Sequence, residues 1–255
     1  MINPVALKIG PLSIHWYGIA YVVGLSVGVW ILNMLNKRQK VFKDLNQIFD
    51  FAFWIFMVGV ILGGRLGYIL FYNLSYYIHN PAKIIAVWEG GMSFHGGFIA
   101  CAIVCYFFFK KHKINYLKAG DIILIPSALA LMFTRIANFI NRELYGRVIE
   151  NPTFSWMGVD FGDGMLRYPS QLFQSASALA IFLILLYIFT RKPKTGVLTF
   201  SYLILYGFFR FIIEFWREPD VQVGFILKYF TMGQLLCIIM FLFGVAGICY
   251  IYRRS

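Results

Sequence analysis

The stretch His15-Trp16-Tyr17-Gly18-Ile19-Ala20-Tyr21-Val22-Val23-Gly24-Leu25-Ser26-Val27-Gly28-Val29-Trp30-Ile31-Leu32-Asn33-Met34-Leu35-Asn36 is followed at once by Lys37, Arg38, Lys40 and Lys43. It contains no Asp, Glu, Lys or Arg and is as long as the roughly 20 residues that carry a helix across a bilayer's hydrocarbon core. The cluster after it is the kind of basic boundary that stays on the cytoplasmic side. Working outward, the same pattern recurs along the chain and predicts seven spans, at 15–36, 48–72, 93–109, 118–140, 170–190, 196–216 and 230–252. The composition agrees: 60% of residues are hydrophobic against about 45–50% in soluble globular proteins, and 13% are charged against about 25%. A soluble domain, a disordered chain and a disulfide scaffold are excluded. The expectation is an all-α integral membrane protein forming a single polytopic domain over 1–255. The first span is too long for a signal-peptide core and lacks a basic segment before it, so no cleaved leader is expected.

The basic residues set the orientation. Lys37, Arg38, Lys40 and Lys43 follow the first span, Lys110, Lys111, Lys113 and Lys118 the third, Arg191, Lys192 and Lys194 the fifth, and Arg253 and Arg254 the seventh. They mark every second boundary, which makes those boundaries cytoplasmic, with the N-terminus outside and the C-terminus cytoplasmic. The stretch 141–169, between the fourth and fifth spans, is polar and rich in turn signals at Asn151-Pro152 and Phe161-Gly162-Asp163-Gly164. It reads as a small extracytoplasmic cap, and 73–92 as a second outer excursion. The net charge of +12 lies in these short clusters rather than on one soluble face, which argues against nucleic acid. Cys101, Cys105, Cys237 and Cys249 sit inside apolar runs, where thiols pack. Cys101 and Cys105 share a helix face but have no second ligand pair, so no metal site is expected.

Ionisable groups inside spans are expensive and point to function. Arg65 lies in Gly63-Gly64-Arg65-Leu66-Gly67-Tyr68, His95 in Ser93-Phe94-His95-Gly96-Gly97, and Arg135 with Asn138 in Thr134-Arg135-Ile136-Ala137-Asn138-Phe139-Ile140-Asn141. Arg210 and Glu214 stand i,i+4 near the outer end of the sixth span, and His15 and Tyr17 open the first. Under the orientation above these groups share one depth, in the outer leaflet. Each also has a plainer reading. Arg210 and Glu214 can neutralise one another, Arg65 can snorkel to the headgroups, Asn138 can be an interhelical hydrogen-bond fixture, and His95 can be a packing histidine. The glycines at 63, 64 and 67, and at 24 and 28, read as small-residue helix contacts. Taken together, several arginines facing the headgroup region suit the phosphodiester of an anionic phospholipid, which guanidinium groups bind bidentately. The metalloprotease, serine-hydrolase and phosphate-loop signatures are missing.

Five blocks then resemble one family. Ile14-His15-Trp16-Tyr17-Gly18, Gly63-Gly64-Arg65-Leu66-Gly67-Tyr68 and Gly90-Gly91-Met92-Ser93-Phe94-His95-Gly96-Gly97 are similar to prolipoprotein diacylglyceryl transferases. So are Arg135-Ile136-Ala137-Asn138-Phe139-Ile140-Asn141 with Glu143-Leu144-Tyr145-Gly146-Arg147, and the run from Phe209 through Arg210, Glu214, Arg217 and Pro219 to Asp220. The resemblance implies a multi-pass enzyme of the bacterial plasma (inner) membrane with its active site towards the outer leaflet. It implies transfer of the diacylglyceryl group of phosphatidylglycerol to the lipobox cysteine of a preprolipoprotein. The products would be a thioether-linked lipid and glycerol 1-phosphate, formed without a cofactor or metal by a protein expected to be a monomer. By the same resemblance Tyr17, Asn138 and Gly146 match essential positions, Arg135 and Arg210 the headgroup-binding arginines, Glu143 and Glu214 supporting carboxylates, and His95 the proposed base. Arg65 joins the expected substrate-binding residues. The sequence departs from the family pattern at Arg142, where glycine is usual, and at Tyr168 and Gln174, where histidine and glutamate are usual. The rival reading, a transporter or scramblase for an anionic lipid, lacks the repeat symmetry such proteins show.

Overall fold

The structure is a computed structural model describing residues 3–10, 12–218, 225–226 and 230–253. Pro219, Asp220 and Arg254, which the sequence reading used, lie outside the described residues. Among the described residues seven helices are long and apolar enough to cross a membrane: Trp16–Gln39, Leu45–Tyr72, Phe94–His112, Tyr116–Ile140, Ser170–Thr190, Val197–Trp216 and Met232–Arg253. The architecture is therefore the expected all-α one with seven spans. An antiparallel hairpin precedes them, β1 (Val5–Ile9) and β2 (Leu12–His15), pairing Val5 with His15 and Lys8 with Ser13. His15 thus ends a strand instead of opening a span, and α1 (Trp16–Gln39) begins one residue later.

Contacts divide the chain into two compact units, Met1–Leu35 with Leu117–Ser255, and Asn36–Tyr116. In the Asn36–Tyr116 unit, buried Asn36 ties down the turn after α1, accepting from the Val41 and Phe42 N–H groups and donating to the Phe42 carbonyl. Asp44 caps α2 (Leu45–Trp54) by accepting from the Gln47 N–H at 2.9 Å. The rod continues through a π-helical stretch, Ile55–Leu62, into α3 (Gly63–Tyr72). There the Gly63 N–H reaches back five residues to the Val58 carbonyl, the wider winding that defines a π-helix. The excursion at 73–92 holds α4 (Leu74–His79) and two 3₁₀ turns, Pro81–Ile85 and Val87–Glu89. Ser93 then caps α5 (Phe94–His112) by accepting from the Gly96 N–H. α3 and α5 cross on glycine: a Cβ on Gly63 would overlap the Ala100 Cβ, and one on Gly96 would lie 2.5 Å from the Gly67 Cα. This is the small-residue contact expected for Gly63 and Gly67. At the other end of the unit Phe51 packs between Phe108 and Phe109, ring centroids 5.2 and 5.4 Å away.

The other unit contains most of α1 together with α6 (Tyr116–Ile140), α7 (Ser170–Thr190), α8 (Val197–Ile213) and α9 (Met232–Arg253). Its core is aliphatic, with Ile122, Ile125, Ile181, Leu185 and Leu198 fully buried. α8 and α9 pack closely because Gly207, Gly244 and Gly247 leave no room for a Cβ against Phe241, Ile204 and Phe200. Gly24 makes ordinary contact with Ala130, whereas Gly28 has open space around it and is no helix contact in this unit. The cap between α6 and α7 contains a 3₁₀ turn at Pro152–Met157 and a short hairpin, β3 (Val159–Asp160) with β4 (Leu166–Arg167). The Asp160 carboxylate folds the hairpin turn by accepting from the Gly162 and Gly164 N–H groups at 2.7 and 3.1 Å. A last small hairpin, β5 (Phe225–Ile226) with β6 (Phe230–Thr231), leads into α9.

Candidate active site

The last turns of α6 present Arg135 and Asn138 on one side, three residues apart, as neighbouring positions of a helix face must be. An Arg135 Nη1 donates to Asn138 Oδ1 at 3.2 Å, and Asn138 Nδ2 donates to Glu143 Oε2 at 3.1 Å. Asn138 is only 3% exposed. Its partners come from its own helix and the loop just after, so it links Arg135 to Glu143 rather than joining two helices. The loop bends sharply, with positive φ at Arg142 and Leu144. The first turn of α7 holds this bend from behind: Gln171, fully buried, donates through Nε2 to the Glu143 carbonyl at 2.7 Å, and the Ser170 hydroxyl donates to the Leu144 carbonyl at 3.0 Å.

Arg210 near the end of α8 and Glu214, the first residue of the 3₁₀ turn that continues it, form the i,i+4 ion pair. Glu214, 5% exposed, also accepts from the Thr231 hydroxyl at 3.0 Å and has Arg217 Nη1 at 3.9 Å. Arg135 lies within electrostatic reach of Tyr17, Tyr206, Arg210 and Arg217. Tyr17 shares a hydroxyl contact of 3.4 Å with Tyr21, which in turn feels Arg135 and Glu143. One unit therefore gathers Tyr17, Arg135, Asn138, Glu143, Arg210 and Glu214. Arg217, which the sequence reading quoted in its motif but gave no role, belongs to the same group. Its signal was present in the sequence, three residues after Glu214 in the same block. The three arginines and two glutamates carry one formal positive charge between them, and Arg135 Nε is buried without a hydrogen-bond partner. A small cavity lies beside Arg210, lined also by Gln174, Ser177 and Tyr206.

Gly146 has a steric task. Its N–H donates to the Tyr168 carbonyl at 2.9 Å while the next N–H, of Arg147, donates to the Trp216 carbonyl. A Cβ on Gly146 would collide with the Trp216 carbonyl oxygen and stand 2.5 Å from that of Tyr168. The glycine lets three backbone segments meet and so sets where the cap leaves the Arg135 and Arg210 helices. Tyr168, which stands where the family usually has histidine, takes part in this junction through its backbone.

Arg65 and His95 belong to the other unit. Arg65 is 3% exposed, and its guanidinium donates to backbone carbonyls of the excursion at 73–92: Lys83 at 2.6 Å, Ile84 at 3.0 Å, Ala86 at 3.1 Å, Gly91 at 3.2 Å, and Gly90. It also stands over the Tyr77 ring, 5.1 Å from its centroid. This gives the side chain a structural use beside the substrate-binding role expected for it, and a phosphate would have to compete with the carbonyls that the guanidinium already serves. The same carbonyls account for its burial without headgroup snorkelling. His95 lies in the first turn of α5, exposed, beside the Phe94 ring. An exposed imidazole is open to a proton donor, and packing does not consume it.

The comparisons with known proteins agree with the motifs. A family described as prolipoprotein diacylglyceryl transferase matches residues 4–250. The phosphatidylglycerol–prolipoprotein diacylglyceryl transferase of Pseudomonas aeruginosa is 44% identical over 260 residues, covering 100% of this chain and 95% of its own length. The proteins of the same name from Ehrlichia ruminantium and Geobacter sulfurreducens are 45% and 41% identical, over 96% and 100% of this chain. A match of this extent, over a seven-span fold that gathers the motif residues of α6 and α8, shows that the chain belongs to the prolipoprotein diacylglyceryl transferase family.

Proposed function

We propose that this protein transfers the diacylglyceryl group of phosphatidylglycerol to the lipobox cysteine thiol of a preprolipoprotein, the first step of bacterial lipoprotein maturation. The observation that carries the reading is the Arg135–Asn138–Glu143 chain within electrostatic reach of the Arg210–Glu214 pair. Arginines partly balanced by carboxylates leave one excess positive charge for one phosphodiester. Arg135 Nε has a donor still to place. A free thiol has a pKa near 8.5, so little is thiolate at neutral pH. His95 would accept the thiol proton. The sulfur would then form its bond to the diacylglyceryl carbon while that carbon's bond to the phosphate oxygen breaks. The electron pair would leave on the phosphate as glycerol 1-phosphate. Arg135 and Arg210 would hold the phosphate and stabilise the charge growing on it. Tyr17 and Asn138 would orient headgroup and thiol, Glu143 and Glu214 would hold the arginines, and Gly146 would keep the cap in place.

The basic clusters support an outside N-terminus, a cytoplasmic C-terminus and a site facing the outer leaflet of the inner membrane. A reporter fused after Ser255 should read as cytoplasmic and one inserted near Asn151 as extracytoplasmic. We take the catalytic unit to be a monomer. The deciding experiment incubates purified protein with phosphatidylglycerol labelled in the glycerol carbons of its diacylglyceryl group and a lipobox peptide. Label should appear on the peptide in a bond stable to mild base, with release of glycerol phosphate. Label that crosses vesicles with no peptide modified would instead favour the transporter.

A further inference from the structure

The sequence reading left Asp121 without a role, although it lies within α6 and is 7% exposed. It precedes Arg135 by fourteen residues, about 21 Å along a helix. Its carboxylate crosses to the start of α8. Asp121 Oδ2 accepts from the Gly196 N–H at 2.6 Å, and Oδ1 accepts from the Thr199 N–H and the Thr199 hydroxyl, both at 2.8 Å. Gly196 begins α8 in the left-handed region at φ 93° and offers no side chain to cap the helix. Asp121 is therefore α8's N-cap, supplied by another helix and carrying the charge that a helix N-terminus favours. The two helices also touch there: a Cβ on Gly120 would lie 2.6 Å from the Thr199 hydroxyl oxygen.

Both oxygens are thus engaged by α8, which leaves Asp121 no capacity to bind a ligand. Its importance lies at the far ends of the helices it joins. Arg210 follows Thr199 by eleven residues, about 16 Å along α8. Between Asp121 and Arg135, α6 contains Pro126, which has no N–H for the Ile122 carbonyl, and the Ser127 hydroxyl bonds back to the Ile123 carbonyl at 2.8 Å. Such a stretch is a bending point, so α6 needs fixing on both sides of it. The Ser175 hydroxyl, bonded to the Met132 carbonyl, fixes the Arg135 side to α7. Asp121 fixes the other side to α8.

We propose that Asp121 is a positioning residue for the lipid site: its clamp on Gly196 and Thr199 sets the register of α6 against α8 and so the spacing of Arg135 and Arg210 around the phosphate. The inference rests on the transferase reading above. One residue of slip along a helix is 1.5 Å, and misplacement by about 1 Å can cost 10²-fold in rate. Asp121→Asn keeps one acceptor for Thr199 but turns an NH₂ towards the Gly196 N–H. Thr199→Val removes only the hydroxyl.

The test uses the full chain with Cys101, Cys105, Cys237 and Cys249 replaced and spin labels on Ile136→Cys and Phe208→Cys, exposed positions next to the two arginines. Asp121→Asn should broaden or shift the distance distribution between the labels. In the unlabelled protein it should raise the KM for phosphatidylglycerol about 10- to 100-fold, leaving the KM for the lipobox peptide unchanged. Thr199→Val should do the same more weakly, and it carries the test if the asparagine variant does not insert. Wild-type distances and lipid KM in both variants, with only a lowered melting temperature, would reduce Asp121 to an ordinary cap and overturn the proposal. If the wild-type protein modifies no peptide, the transferase reading fails, while the distance measurement still reports on the clamp.

Discussion

Arg65 and Arg135 are both arginines inside membrane-crossing helices, and their surroundings could hardly differ more. Arg65 spends its donors on a ring of backbone carbonyls from 83 to 91. Arg135 touches one side-chain amide and keeps a buried Nε without a partner. The first is a fastener for an irregular loop, five of whose carbonyls accept from it. The second is held in position yet has bonding capacity to spare. What would distinguish a binding arginine, the role proposed for Arg135, from a structural one is the number of donors the protein has left free, since the charge is the same.

Substitution by lysine tests this contrast most sharply, because it keeps the charge and removes the fork. Arg135→Lys should lower turnover about 10²- to 10³-fold with little change in melting temperature. Arg65→Lys should do the reverse, lowering the melting temperature by several degrees while turnover per folded molecule stays within about threefold. Loss of turnover in Arg65→Lys at an unchanged melting temperature would return Arg65 to the substrate.

His95 sharpens the comparison from the Arg65 side, since it is an exposed imidazole in the same unit. His95→Ala should cost about 10²-fold at neutral pH, and raising the pH towards the thiol's own value near 8.5 should recover part of the loss. A variant equally inactive at every pH, yet still binding phosphatidylglycerol, would move the base to Glu143 or Glu214.

A third arginine gives the weak limit. Arg167 donates to Asp163 at 2.7 Å in the exposed cap hairpin, and this bond holds the Asp163 carboxyl below its ordinary value. A carboxylate depressed in the folded state stabilises it above the unfolded value, near 3.9, and loses that contribution as pH falls through the folded one. Asp163→Asn should therefore melt slightly below wild type at pH 7, the two curves converging below about pH 4. A gap that persists in strong acid would mean that the ion pair is not its source.

The spans were legible because each needs only length and hydrophobicity, and their ends fall within a few residues of those expected. The hairpin before α1 was not, since five- and four-residue strands carry little periodicity. Within the site, Arg135, Asn138 and Glu143 could be read because one helix end and its loop hold them together. Arg65 could not, because its partners return from some twenty residues away and are main-chain atoms that no side-chain pattern announces. Asp121 escaped notice for a related reason: its two contacts are with residues more than seventy positions later. Gly146 was legible as a position but not as a cause, its neighbours coming from Tyr168 and Trp216.

The π-helical stretch Ile55–Leu62 has a consequence for how this gene can change in length. Each residue turns an α-helix by about 100°, and a π segment accommodates an extra residue within an otherwise regular rod. Deleting one residue there would let the rod relax to ordinary α winding and leave the Gly63–Gly67 face against Gly96, whereas a deletion in the regular turns on either side would turn that face by about 100° and bring bulkier side chains to the crossing with α5. Homologues should therefore tolerate the loss of one residue within these eight, like changes of length at 73–92, far more readily than a loss in the flanking turns. A scan of single-residue deletions, scored by insertion and turnover, should show its sharpest losses in the α-helical turns that flank Ile55–Leu62.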